Sequence, residues 1–250
     1  LEHSSGRTLE ETLRARLKES RGDGALQDDD VKDWEEYGTF LRLKGWYLLH
    51  SQTDSQAERT LWAAADIFKG LGSGCEPGRA ACLSYIGDSM DRQGRFLEAV
   101  SFYEQAIALV EKNPEQARSL MKERADILLK GFEQSGEFYP GINAAYAFAA
   151  LGEHKQAQEV AQWCSLSAQA SIDTRDWWAR VSAVESAVIA NNPAMVKKSM
   201  GLLAQVEDVQ DWMRATTVQT LGNLDPAIYP LAKSVQQDIG SNKYLELKGN

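Results

Sequence analysis

Few side chains in this sequence could carry out chemistry. The histidines are His3, His50 and His154, and the cysteines are Cys75, Cys82 and Cys164. No two histidines stand four apart, so no helix offers the paired imidazoles of a zinc protease. The cysteines are too few and too scattered for a zinc site or a disulfide framework. There is no Gly-x-Ser-x-Gly elbow, no Walker loop and no kinase signature. The Gly-rich run from Gly70 to Gly78 lacks a following Lys-Ser/Thr and reads as a loop. His50 and His154 fall at or near expected turns and read as solvent-exposed, while Cys82 reads as a small core residue rather than a nucleophile. Paired carboxylates are common, but on helices they form a solvated face. The expectation is a chain with no catalytic residue, no metal and no cofactor, and so not an enzyme.

What remains is recognition, and composition narrows it. The chain has 250 residues, 43% hydrophobic and 25% charged, which suits a globular domain with a sizeable core. Its formal net charge is -9, and its longest basic run is Lys197-Lys198. Nucleic-acid binding draws most of its affinity from basic patches on phosphate, so no nucleic acid is expected, and an anionic membrane surface is disfavoured likewise. No stretch approaches the ~20 apolar residues of a membrane span. The thiol usage points to a reducing, cytoplasmic setting. Residues 1–7 read as a cloning remnant and not as a signal peptide.

The elements that must position any binding surface are helical repeats. Gly87 is followed by Gly94, Phe96, Ala99, Tyr103 and Ala106. The same offsets recur from Gly45 through Ala57, Leu61 and Ala64. They recur again from Ala145 through Gly152, Ala157, Ala161 and Cys164. A more degenerate copy runs from Val184 through Asn191, Val196, Met200 and Leu203. The positions of Gly87 and Ala99 are where two helices of a hairpin cross most closely, so a small residue fits there. The aromatic is a knob filling the groove of the first helix, and the turn glycine accepts a positive φ. This spacing resembles that of the tetratricopeptide superfamily. The copies are unevenly separated, where a uniform array repeats about every 34 residues. An extra helix from about Glu115 to Gln134, with Leu120, Ile127 and Leu128 on one face, fills the widest gap.

Boundary signals agree. Asn113-Pro114, Tyr139-Pro140-Gly141 and Asn192-Pro193 mark new helix starts, and Asp225-Pro226 with Tyr229-Pro230 lead into a last helix ending near Gly240. Arg21 to Asp30 reads as a loop and a helix N-terminus. The expected fold is an all-α, tetratricopeptide-like right-handed helical solenoid of about twelve antiparallel helices with irregular repeats. N-terminal hairpins would occupy 8–112, further repeats continuous with them 113–240, and a frayed tail 241–250.

One region is similar to a named family. Gly131-Phe132-Glu133, then Phe138-Tyr139-Pro140-Gly141-Ile142-Asn143-Ala144-Ala145, with Asp176-Trp177-Trp178 and Trp212 downstream, resembles the TRAFs-binding domain. That helical domain occurs in apoptosis signal-regulating kinases and in bacterial signalling proteins. The resemblance covers about 117–224, departs at Tyr146, and implies a non-catalytic scaffold or regulatory module of a larger signalling system, with a protein or peptide partner.

In such an array the first helix of each hairpin lines the concave face. Its register assigns Arg42, Trp46, Tyr85, Asp88, Arg92, Asn143, Tyr146, Trp178 and Glu185 to a partner-binding groove. Trp, Tyr and Arg are the types favoured at interface hot spots. With Asp88, Asp91 and Glu185 present, a basic or polar segment is the expected guest. Only Arg42 and Asn143 stand where a carboxylate clamp would need them, so no such clamp is expected. Two alternatives stay open: a terminal helix could fill the groove and make these residues core, or the groove could take a small ligand and switch a separate effector.

Overall fold

The structure is a computed structural model and describes residues 28–51, 53–170 and 176–247. The expected remnant at 1–7, the chain up to 27 and the last three residues lie outside that range. Eleven α-helices and one 3-10 helix form among the described residues, with no strand. They are α1 (Asp28–His50), α2 (Asp54–Leu71), α3 (Glu76–Arg92), α4 (Phe96–Leu109), α5 (Pro114–Ser135) and α6 (Phe138–Ala150). After these come α7 (His154–Ala170), α8 (Trp177–Ile189), α9 (Pro193–Leu203), α10 (Asp211–Gly222), α11 (Leu231–Gly240) and the 3-10 helix Lys243–Leu247. Among the described residues, no helix is long and apolar enough to cross a membrane.

The hairpins close in one recurring way. Thr53 N donates to Leu48 O at 3.1 Å, Arg95 N to Met90 O at 2.9 Å, Glu153 N to Phe148 O at 2.9 Å, and Asn192 N to Ala187 O at 3.0 Å. Each bond satisfies a carbonyl left unpaired in the last turn of a helix. Gly94 (φ 74), Gly152 (φ 77) and Asn191 (φ 51) supply the left-handed residue that the last three closures need. Local caps fix the later starts: the Asp176 carboxylate accepts from Trp178 N at 2.8 Å, and Asn192 Oδ1 accepts from Met195 N at 3.1 Å.

The chain divides into two compact units at Met121–Lys122, inside α5. Asn113-Pro114 marks where that helix begins. In the first unit α1, α2, α3 and α4 pack in succession, and α1 also meets α3. Their crossings are tight. A Cβ on Gly45 would come within 2.6 Å of Leu61, and one on Gly87 within 2.8 Å of the Tyr103 ring. Phe68 stacks its ring edge between Gly38 and Gly78 in a core of Tyr37, Leu41, Ala64, Ala65 and Cys82.

In the second unit α6, α7, α8 and α9 pack in succession, and α6 also meets α8. Ala145, Ala157, Ala161, Cys164 and Val184 are fully buried at the crossings. α10 and α11 form a further pair, and α11 touches α8. The tail departs from expectation. Residues 241–247 are not frayed: the 3-10 helix packs on α9 and α11, and Tyr244, 1% exposed, meets the Trp177 ring edge-on at 6.2 Å. One buried aromatic stabilises a docked terminus by roughly 2 kcal/mol. His154 departs too. It is half-buried, and its Nδ1 lies 3.1 Å from the buried Tyr229 hydroxyl.

The thiols follow their surroundings. Burial pushes the Cys82 thiol up to about 12 and the Cys164 thiol up to about 11, whereas Cys75 is half-exposed. A disulfide reagent such as Ellman's therefore titrates Cys75 alone in the native protein, and Cys82 and Cys164 only after unfolding. Reaction of all three at one rate would mean that the two cores open.

Candidate functional site

α6 and α8 lie side by side in the second unit, and each starts at a sequence break. Residues three and four apart share a helix face. The stripe Tyr139, Ile142, Asn143 and Tyr146 on α6 therefore faces the stripe Trp178, Val181, Ser182 and Glu185 on α8. Thr216, Thr217 and Thr220 on α10 complete the walls of a cleft of about 490 Å³. That volume suits one large side chain with its flanks, or a small molecule.

The rim is aromatic. Trp178 and Trp212 pack at 5.9 Å with their rings tilted by 46°, and Tyr139 stands exposed in the first turn of α6. The floor is polar. Glu185 is 7% exposed, and its burial pushes the carboxyl up to about 8, while the neighbouring Tyr146 hydroxyl works in the opposite direction. Burial first, and then the Glu185 charge, push the Tyr146 hydroxyl well above its usual value. The two groups interact, yet the buried hydroxyl is not aligned for a hydrogen bond. A buried carboxylate without a cation is costly, so this floor is under electrostatic tension.

A wider depression of about 800 Å³ lies along α5 and α7, between Glu133, Glu153, Lys155, Glu159 and Trp163. None of its charged side chains is buried, and Lys155 pairs with Glu159 at 3.8 Å in full solvent. Solvated charges of this kind do little, so the smaller cleft is the candidate site.

Four of the nine groove residues read from the sequence, Asn143, Tyr146, Trp178 and Glu185, meet around that cleft. The other five belong to the first unit. There the Arg92 Nη1 donates to the Leu49 carbonyl at 2.6 Å, which ties α3 to the end of α1. The Tyr103 hydroxyl donates to Asp88 at 2.5 Å. Burial raises the Asp88 carboxyl above its usual range, against the pull of Tyr103 and Arg92. Trp46 is exposed and stacks on His50 at 4.2 Å. Tyr85 and Arg42 are half-buried, and the Arg42 Nε has no partner. Asp88 and Arg92 thus have structural partners of their own. Leu49, two helical turns after Arg42 on α1, is core. Missing from the register were Trp212 and the three threonines, because α10 lies outside the repeat spacing. Only the Trp212 of the family resemblance signalled that helix.

The fold and the cleft define an all-helical chain with an aromatic-rimmed, acid-floored recess. No family model matches it, and no curated protein does. Among solved structures the chain is similar to BtubC (BKLC) from P. vanneervenii at 14% identity, with 98% of this chain and 88% of that chain covered and a TM-score of 0.40. A likeness that distant carries no argument about function.

Proposed function

We propose that this chain is a non-catalytic interaction module, a tetratricopeptide-like right-handed solenoid that holds a segment of a partner protein in the cleft between α6, α8 and α10. The single observation behind the reading is that cleft: exposed aromatics at its mouth, with a desolvated Glu185 and Tyr146 beneath. Four hairpins closed by the same backbone bond support the repeat class. Clustered Trp and Tyr around a desolvated centre are the pattern of an interface hot spot. The TRAFs-binding resemblance adds the expectation that the module serves a larger signalling system, with a partner that is protein and neither nucleic acid nor membrane. A photo-crosslinking residue in place of Tyr139 should label a polypeptide, and Trp178→Ala should weaken that complex by about 2 kcal/mol, some thirtyfold. Labelling that Trp178→Ala leaves unchanged would place the partner elsewhere. The cleft volume also fits a small ligand that switches a separate effector, and native mass spectrometry showing a bound small molecule in place of a polypeptide would favour that reading.

A further inference from the structure

The hydrogen-bonding polarity of the cleft is weighted towards acceptors. The hydroxyl hydrogens of Thr216, Thr217 and Thr220 are donated to the carbonyls of Trp212, Met213 and Thr216, at 2.9, 3.1 and 2.9 Å. Their oxygens keep only lone pairs to offer. The Asn143 Nδ2 gives one of its two hydrogens to the Tyr139 carbonyl at 2.9 Å, which leaves Oδ1 as an acceptor and one N–H as a donor. Glu185, when ionised, only accepts. No lysine, arginine or histidine is among the residues lining the cleft. Arg180 lies on the same helix but five residues away, about 140° around it. The cleft thus sets mostly acceptors around one buried acid, with the Tyr146 and Ser182 hydroxyls and one Asn143 N–H as its donors, and it has an aromatic mouth.

An acid and a majority of acceptors, with no basic residue among the lining, call for a guest that is rich in donors and positively charged. A guanidinium has five N–H donors in a planar fork, no acceptor, and a flat, weakly hydrated face that stacks on indole. An ammonium has three donors, no plane, and a larger hydration cost. Resting on the reading of this cleft as a partner site, we infer that it receives an arginine side chain of the partner segment, with the guanidinium paired to Glu185 and the acceptors of α10 and stacked against Trp178.

Capture of the cation is coupled to a proton. Tyr146 from α6 and Cys164 from α7 are the titratable groups that face Glu185, and α10 presents threonines only. Neither Tyr146 nor Cys164 ionises below the Glu185 carboxyl, which burial holds at about 8. A guanidinium stays charged throughout, so below that value it must bind with loss of a proton from Glu185. Affinity for an arginine segment then rises about tenfold per pH unit up to about pH 8 and levels off above it.

The test is selection of a random heptapeptide display library on the full chain, followed by titration of the synthesised winners. The expected result is that winners share an arginine, and that replacing it with citrulline, which has the same shape without the charge, weakens binding at least thirtyfold. Glu185→Gln should cost the arginine peptide a similar factor, cost the citrulline peptide nothing further, and abolish the pH slope. Thr217→Val, which removes one acceptor without changing shape, should weaken the arginine peptide and spare the citrulline one. Circular dichroism of both variants confirms that they are folded. Winners that need Trp178 but carry no arginine, or that prefer lysine, overturn the arginine assignment and leave the cleft reading intact. If no winner depends on Trp178, the cleft reading falls and the arginine assignment with it.

Discussion

Glu185→Gln makes the unliganded chain more stable at pH 9, by about 4–5 kcal/mol, and leaves it nearly unchanged at pH 4. The carboxyl sits at about 8 in the folded protein against an ordinary 4.5. The folded state thus holds a proton that the unfolded state has already released between these two values. Where the folded state binds more protons, stability falls as pH rises. The loss attributable to Glu185 begins near pH 4.5, grows through neutrality and is complete above about pH 8. Its cause is desolvation, because the side chain is 7% exposed and no basic group lines its cleft. An amide of the same shape carries no charge to desolvate. For a chain of this length the gain at pH 9 corresponds to a melting temperature higher by about 10 °C. The measurement is thermal unfolding of both proteins from pH 4 to pH 9. If the two curves ran parallel, Glu185 would not be a desolvated acid without a basic partner, and the electrostatic account of the cleft would be wrong. Perturbed groups of this kind concentrate at functional sites, where stability is given up for binding.

Tyr103→Ala should cost about 3–5 kcal/mol and destabilise the first unit. The ring is 1% exposed, lies against Gly87 across the α3–α4 crossing, and carries a hydroxyl that donates to Asp88. Its removal opens a cavity and leaves a partly desolvated carboxylate without its donor. Gly87→Ala is the complementary test. The added methyl would sit 2.8 Å from the ring and 3.3 Å from the Ala99 carbonyl, so in the wild type it should cost about 1–3 kcal/mol. In the Tyr103→Ala background the ring is gone and most of that cost should vanish. Chemical denaturation of the four proteins closes the cycle. Additive losses would show that Gly87 and Tyr103 do not share a contact.

The sequence by itself determined the helices, their turns and their crossings, because those depend on short-range rules. Small residues at Gly45 and Gly87 announce close approach, Gly94 and Gly152 announce left-handed turns, and Pro114 and Pro193 announce helix starts. The same register placed Asn143, Tyr146, Trp178 and Glu185 on facing stripes, since helical periodicity fixes which side chains share a face. It could not separate a stripe that lines a cleft from one that is structural. Arg92 and Asp88 occupy equivalent positions, yet they tie α3 to the Leu49 carbonyl and to Tyr103. Of α10 it signalled only Trp212, through the family resemblance, and not the threonines that wall the cleft, nor the tail that Tyr244 docks. Those are contacts between segments far apart in the chain, settled only when apolar area is buried. The weakened acidity of Glu185 belongs with them: a carboxylate's type is written in the sequence, but its cost depends on the water that neighbouring helices take away.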